Sequence, residues 1–282
     1  MAGPPRRGGP RDPVTRVGRV LSAGRITPYM IRIVLGGPGL GDFDASRYTD
    51  HYIKLLFPVE GVAYPEPFDM RRIRGDLPRE QWPRMRTYTV RRWDAGAREL
   101  TVDVVHHGDE GLAGPWAARA RPGDEIRFNG PGGGYAPDPA AARHLLAGDE
   151  SALPAIAASV ERLPAGARAD VFVEVSGPNE EQKLDTAGEA TITWLHRGDR
   201  PPGEALVAAV RDLDFPPGDV QAFVHGEAGC VKELRRILLV ERGVPRDRAS
   251  ISGYWRLGHD EDRWQVAKRD WNREVEREQD AR

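Results

Sequence analysis

Residues 86–91 read Arg-Thr-Tyr-Thr-Val-Arg, and residues 107–116 read His-Gly-Asp-Glu-Gly-Leu-Ala-Gly-Pro-Trp. The first stretch alternates as a strand does and carries two arginines around an aromatic ring and a hydroxyl. The second stretch is a glycine-rich turn that leads into a helix, because Pro115 suits a first helical position. Together they predict a strand and, after one further strand, the start of a helix.

These residue types predict a cradle for a flat aromatic ring that carries phosphates. Arg86 and Arg91 are expected to share one strand face with Tyr88, and Thr87 and Thr89 to lie on the other. Arginine matches phosphate oxygens with a planar fork of donors, and the glycine turn adds backbone N–H groups for a pyrophosphate. An isolated strand of this kind is more often an exposed sheet face with solvated arginines. The nearby helix entry favours the cradle.

The composition is that of a globular protein with room for two domains. The chain has 282 residues, of which 39% are hydrophobic and 30% are charged. A net charge of −2 gives no case for nucleic-acid binding, and a single cysteine cannot form an internal disulfide. No apolar run approaches the roughly 20 residues that span a bilayer, so no stable membrane insertion is expected. Residues 1–13 are rich in Gly, Pro and Arg, which predicts a disordered tail and a cytoplasmic protein.

Residues 14–135 contain short strand patterns that are separated by turn residues. Residues 59–83 are proline-rich and are expected to form a long loop. Short strands punctuated by turns predict an antiparallel six-stranded barrel. The six candidate strands fall at residues 14–21, 30–35, 51–58, 86–91, 100–106 and 125–128.

Residues 143–258 alternate strand and helix patterns after a linker at residues 135–142. This alternation predicts a mostly parallel α/β sheet with helices on both faces. Ser151 is expected to cap the first of these helices. The candidate strands fall at residues 144–147, 169–175, 191–195, 220–225 and 249–254.

Two strand ends in this half are candidates for nucleotide contacts, because ligands of open α/β sheets collect at the carboxyl ends of strands. Residues 147–154 and 225–230 both run from a strand through small residues into a helix, which suits phosphates and a nicotinamide. Plain βα turns explain each stretch equally well, and the residues do not discriminate NADH from NADPH. The candidate contacts are Asp149, Glu150, Ser151 and Glu227, with Glu174 placed to hold a ribose hydroxyl.

Residues 253–258 read Gly-Tyr-Trp-Arg-Leu-Gly and leave two interpretations equally open. They could form an aromatic plug below a C-terminal helix, or a rim near the bound ring with Arg256 facing an anionic substrate. Residues 259–282 place apolar side chains at helical spacing among many charges, which predicts an amphipathic C-terminal helix. The histidines lack metal-ligand spacing, so no metal site is expected.

These stretches together resemble one known family. The pattern Arg-x-Tyr-Thr-x-Arg at residues 86–91 resembles the flavin motif of the ferredoxin–NADP reductase superfamily. Further motifs follow in the order found in siderophore-interacting proteins, which are ferric-siderophore reductases. The resemblance runs from about Val14 to Trp264, nearly the whole chain. The further motifs are residues 102–117, 147–158, 225–238 and 253–258.

The resemblance implies an FAD-binding barrel followed by a nucleotide-binding α/β domain. Tyr88 would stack on the isoalloxazine ring with Thr89 near its N5 edge, and these two would be the catalytic residues. Arg86, helped by Arg91, would neutralise the pyrophosphate. The other implied FAD contacts are Val90, Asp103, Val105, His107, Gly111, Ala113, Gly114 and Trp116.

The chain departs from the family pattern at two places. The family usually has Ser or Thr where this chain has Gly114, so one hydroxyl contact to FAD is missing. The family's Gly-Pro-Arg-Gly-like turn is Gly-Pro-Gly-Gly at residues 130–133, which removes a basic residue that could face the substrate. Lys54 and Arg256 remain as the substrate-binding cations.

The resemblance also implies an activity. NADH or NADPH would supply hydride to FAD, and single electrons would then reach Fe(III) in a siderophore, so that Fe(II) is released. A ferric siderophore is the expected partner, with ferredoxin as an alternative electron donor, and the protein is expected to be a monomer. Two other functions stay open: a reductase of the same fold that serves an iron–sulfur protein, and a siderophore-binding protein that has lost flavin binding.

Overall fold

The computed structural model describes residues 14–214 and 219–280. The tail predicted over residues 1–13 lies outside the described residues. Within the described part, no helix has both the length and the apolar character that crossing a membrane requires.

Six antiparallel strands close into a barrel in the order β1-β2-β5-β4-β3-β6, which confirms the six-stranded barrel that the sequence predicts. Alternate side chains fill its interior, so that Ile33, Leu55 and Phe128 are completely buried. The strands are β1 (Thr15–Thr27), β2 (Met30–Gly36), β3 (Tyr52–Phe57), β4 (Arg84–Asp94), β5 (Glu99–Val105) and β6 (Glu125–Gly132).

A short helix lies inside the segment that was expected to be a loop, residues 59–83. The Asp69 carboxylate caps this helix by accepting the N–H of Arg71 at 2.8 Å, and Ile73 packs with Leu56 of β3 in a small apolar cluster separate from the barrel core. Seven residues give too short a periodic pattern to identify a helix from sequence. The helices between the barrel strands are α1 (Met70–Asp76) and α2 (Ala113–Arg119).

Five parallel strands form the second sheet, in the order β11-β10-β7-β8-β9, which confirms the predicted α/β architecture. The predicted cap at Ser151 is wrong: the first helix follows Ala152 without a side-chain cap, and the Ser151 hydroxyl donates to Asp149 instead. The strands are β7 (Arg143–Asp149), β8 (Arg168–Val175), β9 (Glu189–His196), β10 (Val220–Glu227) and β11 (Ala249–Trp255). The helices are α3 (Leu153–Val160), α4 (Glu204–Asp212) and α5 (Ala228–Arg235), which continues into a π-helical turn at Arg236–Glu241.

The order of this sheet creates a crevice. The chain moves outward from β7 in one direction through β8 and β9, and then returns to the other side of β7 with β10. The strand order therefore reverses between β7 and β10, and their carboxyl ends diverge into loops on opposite sides. Open α/β sheets bind ligands at such a switch point.

The last helix, α6 (Glu261–Asp280), packs against both halves of the protein, on β4 and on β11. Trp264 is completely buried, and its indole N–H donates to the Gly253 carbonyl at 3.3 Å. The ring of Trp271 lies edge-on to it, with centroids 5.3 Å apart. The apolar stripe of the helix therefore packs on the second sheet, on β11.

Replacing Trp264 by alanine is expected to lower the free energy of unfolding by about 3–5 kcal/mol, because a large buried side chain leaves a cavity. Val266→Ala on the exposed side of the same helix is the control, since Val266 is 59% exposed and should change stability by no more than about 0.5 kcal/mol. Urea unfolding of both variants measures the difference. Equal effects of the two substitutions would contradict the packing of α6.

Candidate functional site

The first half of β4 has a strand on only one side. β4 pairs with β3 from Arg84 to Thr89, but with β5 only from Val90 onward. β5 continues to Val105 and there pairs with β2 alone. The barrel wall therefore opens between residues 86–89 and the end of β5, where unpaired backbone edges face each other.

The sequence-predicted ring contacts lie at this opening. The register places Arg86 opposite Leu55 and Tyr88 opposite Ile53, so both point to the same face, as expected. The Tyr88 ring packs against the edge of the barrel core, and burial raises the pKa of its phenol. Thr89 faces the other way and is buried.

Arg91 does not share the face of Arg86, which corrects the expectation from sequence. The two positions are an odd number apart, and a bulge between Val90 and Arg92 leaves Arg91 on the outside of the barrel. There Nη1 of Arg91 donates to Glu161 at 2.8 Å, and Nε lies 3.9 Å from the Asp103 carboxylate. The Val90 side chain is buried in the core, so only its backbone could contact a ligand.

The Asp103 carboxylate is also engaged. It receives two hydrogen bonds of 2.7 Å from the Arg32 guanidinium of the neighbouring strand. This pair fixes the outer face of β2 and β5. The carboxylate oxygens of Asp103 are therefore held in a structural pair, while a contact from its backbone to a cofactor stays a prediction.

The loop that follows β5 offers unused donors. The backbone N–H groups of residues 107–112 donate no hydrogen bond within residues 14–214 and 219–280. Gly108 and Gly111 have φ of 85° and 82°, a conformation that favours glycine and turns successive amides outward. His107 is exposed, whereas His106 is buried beside Arg25. The loop therefore presents a group of amides beside the opening.

The start of α2 covers one end of the opening. Ala113 is buried, and Trp116 packs against the barrel core with its ring 6.1 Å from that of Phe57. A Cβ added at Gly114 would lie 3.5 Å from the Val105 carbonyl oxygen, which is an ordinary contact. The contacts predicted for Trp116 and Ala113 thus lie near the loop, and their roles stay predictions.

Two carboxylates from α6 reach the same opening, and sequence reasoning missed their role. Nη1 and Nη2 of Arg86 each donate to Asp262 at 3.2 Å, and Nε lies 3.7 Å from Glu261. Glu261 accepts the unpaired backbone N–H of Thr87 at 3.0 Å. Burial raises the pKa of Glu261. The two adjacent acids at the start of α6 were visible in the sequence, but nothing in it pairs them with β4.

The predicted nucleotide contacts at the ends of β7 and β10 come together in the crevice. The buried Asp149 carboxylate accepts the Trp255 indole N–H and the Glu227 backbone N–H, both at 2.8 Å. Burial and the adjacent charge of Glu150 raise the pKa of Asp149 to about 6. The Glu227 carboxylate caps α5 through the N–H of Cys230 at 2.9 Å. These hydrogen bonds hold the ends of β7, β10 and β11 in fixed positions relative to one another. Direct contacts of these side chains to a nucleotide stay predictions.

Glu150 and Glu174 share one partner. Nη1 of Arg197 lies 3.1 Å from Glu150 and 3.4 Å from Glu174. Glu174 is completely buried and accepts the Gly203 N–H at 2.8 Å at the start of α4. Glu174 therefore fixes the helix start, and a ribose contact by it stays a prediction.

The substrate-binding cations predicted from sequence are free of ion pairs within the described residues. Lys54 lies on the outer face of β3 opposite Thr87, and Arg256 directly follows β11. Tyr254 of β11 lies at Thr89, and burial raises the pKa of its phenol while a hydrogen bond with Thr89 opposes that rise. Of the two interpretations of residues 253–258, the position of Tyr254 fits the rim, and the burial of Trp264 against Gly253 fits the plug.

Comparison with known proteins identifies the family. Residues 19–135 match the siderophore-interacting FAD-binding domain, and residues 141–258 match the siderophore-interacting protein domain. The chain belongs to the siderophore-interacting protein family. Its barrel is the FAD-binding domain of that family.

Curated relatives cover most of the chain. Ferric vibriobactin reductase ViuB of Vibrio cholerae is 33% identical over 242 residues, which are 84% of this chain and 88% of that protein. The NADPH-dependent ferric-chelate reductase of Escherichia coli is 30% identical over 251 residues, 84% of this chain and 91% of that protein. These similarities support a flavin oxidoreductase.

A solved structure agrees with the fold. The siderophore utilization protein from T. fusca superimposes with a TM-score of 0.75 at 39% identity, covering 88% of this chain and 94% of that one. The agreement extends over both the barrel and the parallel sheet.

The residues at the opening fit FAD. The unused amides of residues 107–112 and the Arg86 guanidinium are donors of the kind that a pyrophosphate requires. Nε of Arg91 is buried without a hydrogen-bond acceptor among the described residues, so it too has capacity for a ligand. Tyr88 lies between these donors and the barrel core, and its ring offers an aromatic face for stacking.

Replacing Gly114 by serine is expected to tighten FAD binding by about tenfold, because a hydroxyl there adds one hydrogen bond to a charged group. The space around Gly114 accepts the Cβ without a clash. Titration of flavin-stripped protein with FAD, followed by fluorescence, measures the dissociation constant. Gly177→Ser, at an open surface position, is the control and should leave it unchanged. Unchanged affinity in Gly114→Ser would contradict a phosphate position beside this residue.

Proposed function

We propose that this protein is an FAD-dependent reductase that passes electrons from NADH or NADPH to ferric iron in a siderophore complex and releases Fe(II). The observation that carries the proposal is the opening between β4 and β5. It combines Tyr88, Arg86 and the unused amides of residues 107–112, and Thr89 on its outer edge faces Tyr254 of the second sheet. A cofactor held there lies between the barrel and the sheet.

Bound FAD supplies the step that the side chains cannot, because it accepts a hydride and gives up electrons singly. The chain's own residues position the reactants. Tyr88 offers the face for ring stacking, Arg86 and the loop amides hold phosphate charge, and Thr89 lines the outer edge beside Tyr254. The helix α6 contacts both β4 and β11, with Trp264 buried against β11.

The crevice between β7 and β10 is the site we assign to the nicotinamide dinucleotide. It lies at the strand-order reversal, and Asp149, Glu227 and Trp255 fix the two strand ends relative to each other. Each dinucleotide gives up two electrons, enough for two ferric ions. The ferric-chelate reductase of E. coli is named as NADPH-dependent, which favours NADPH here. Ferredoxin as the donor is the competing possibility for the same flavin.

The iron is substrate and arrives inside its chelator. Fe(II) binds less strongly than Fe(III) to hard oxygen donors, so reduction weakens the complex and releases the metal. Lys54 and Arg256, which have no ion-pair partner among the described residues, would attract an anionic complex to the rim of the site. We further propose that the protein acts as a monomer in the cytoplasm.

The purified protein is expected to be yellow, and anaerobic NADPH should bleach the flavin absorbance faster than NADH does. Subsequent addition of a ferric catecholate should restore the absorbance, with about two Fe(II) formed per dinucleotide oxidised. Ferrozine trapping measures the iron product. If reduced ferredoxin bleaches the flavin absorbance and neither dinucleotide does, ferredoxin is the electron donor. A colourless protein that binds ferric chelates without added flavin would contradict the proposal.

Arg86→Ala is expected to weaken FAD binding by tenfold or more, whereas Tyr88→Phe should keep it, because the phenylalanine ring still stacks. The same fluorescence titration measures both variants. Full FAD affinity and full ferric-reductase activity in an Arg86→Ala, Tyr88→Ala double variant would show that the flavin lies elsewhere.

A further inference from the structure

A buried carboxylate of the second half holds the turn between the first two barrel strands. Glu180 ends a single 3₁₀ turn (Pro178–Glu180) that follows β8, and it is only 4% exposed. Its Oε2 accepts the Thr27 hydroxyl at 2.5 Å, and its Oε1 accepts the Tyr29 backbone N–H at 3.0 Å. Within the described residues no ion pair adds a cation to this arrangement. Both oxygens of Glu180 are therefore engaged by the turn between β1 and β2.

The apolar residues beside this turn are buried in the second half. Met30, the first residue of β2, is 2% exposed and belongs to the apolar core of the α/β half, together with Leu146 and Ile156. Val105, its register partner at the end of β5, packs against the same core. Apolar packing has little directional preference, whereas hydrogen bonds require a defined length and angle. The two hydrogen bonds of Glu180 therefore fix where the turn sits on the second half.

The same turn holds the residue from which the loop of residues 107–112 departs. The Tyr29 carbonyl accepts the backbone N–H of His106 at 2.9 Å. Nη2 of Arg25, also in this hairpin, lies 3.3 Å from Nδ1 of the His106 ring. The start of α2 adjoins His106 as well, since a Cβ added at Gly114 would lie 3.7 Å from the Cα of His106. The peptide groups of Tyr29 therefore connect the second half to the start of the loop.

The loop itself has little other support. β5 pairs with β2 up to Val105, but with β4 only as far as Val102, so one edge of its end is open. The amides of residues 107–112 find no acceptor in the described parts of the chain. Two of these residues, Gly108 and Gly111, are glycines, which lose more conformational freedom than other residues when they are fixed. The position of the loop therefore depends on the point where it starts.

We propose that Glu180, although it belongs to the second half, is a positioning residue for FAD in the barrel half. It acts through the turn at Tyr29 on the loop of residues 107–112, whose amides bind the pyrophosphate. The inference rests on the flavin site of the proposed function and adds to it a residue that does not touch the flavin. A loop that is held in place before FAD arrives costs less entropy on binding. The flavin site is therefore complete only when the two halves are docked through Glu180.

The test compares four variants of the full-length protein. Glu180→Ala removes both acceptors, whereas Glu180→Gln keeps an oxygen for the Tyr29 N–H and an amide nitrogen that can donate to the Thr27 hydroxyl. Thr27→Val removes the hydroxyl and keeps the shape of the side chain. Glu181→Ala is the matched control, because this adjacent carboxylate is 40% exposed and contacts His196 at 2.7 Å instead of the hairpin. Fluorescence titration measures the dissociation constant of FAD, and amide hydrogen exchange and urea unfolding are measured without FAD.

Glu180→Ala is expected to raise the dissociation constant of FAD by about tenfold, because binding must then also order the loop. The amides of Tyr29 and His106 should exchange faster in this variant, while those in the middle of β2 and β5 exchange as in the wild type. Glu180→Gln should restore both the affinity and the slow exchange, and Thr27→Val should fall between the wild type and Glu180→Ala. The control Glu181→Ala should match the wild type in both measurements.

Three outcomes would overturn the inference. The first is a Glu180→Ala variant that unfolds at lower urea but binds FAD as the wild type does, which would leave Glu180 a purely structural role. The second is an equal loss of FAD affinity in Glu180→Ala and Glu181→Ala. The third applies if Glu180→Ala does not fold: wild-type FAD affinity in Thr27→Val then contradicts the coupling.

Failure of the inference and failure of the proposed function are distinguishable. A wild-type protein that binds no FAD would remove the flavin site and the inference together. Equal FAD affinity in the wild type and Glu180→Ala, with ferric reduction intact in both, would remove only the inference.

Discussion

The ladder between β4 and β5 ends at Val90, and the site depends on that end. A strand edge without a neighbour leaves backbone donors and acceptors that must find other partners. The Glu261 carboxylate accepts one of these donors, the N–H of Thr87. The loop of residues 107–112, which has unused backbone amides of its own, lies beside the rest of the open edge. The unpaired backbone groups at this opening cost stability in the empty protein. They also form a binding site, because a ligand with ring and phosphate groups can bond to the unpaired groups of both strand edges at once.

The second sheet contributes through the place where its strand order reverses. The ends of β7 and β10 are fixed to each other by Asp149, which accepts hydrogen bonds from Glu227 and Trp255. In the proposed function, these rigid strand ends hold the dinucleotide at a constant position relative to the flavin, which lowers the entropic cost of bringing the two together. The helix α6 then connects the two halves, since Trp264 packs on β11 while Glu261 and Asp262 reach β4.

Local patterns were sufficient for much of the fold and for part of the site. Short strands with turn residues predict the barrel, β/α alternation predicts the parallel sheet, and alternation along residues 86–89 places Arg86 and Tyr88 on one face. Arg91 lies an odd number of positions from Arg86, so the same alternation already places it on the opposite face, and the expectation that it shares the face of Arg86 was wrong at the level of the sequence. The ion pairs of Arg86 with Asp262 and of Asp103 with Arg32 join residues far apart in sequence, so no local pattern contains them.

The most direct measurement is a crystal structure of the protein with FAD bound. We expect the isoalloxazine ring to stack on Tyr88, the pyrophosphate to lie within hydrogen-bond distance of the amides of residues 107–112, and Arg86 to turn at least partly from Asp262 toward phosphate. FAD bound at another surface, with the edges of β4 and β5 closed on each other by protein side chains, would contradict it.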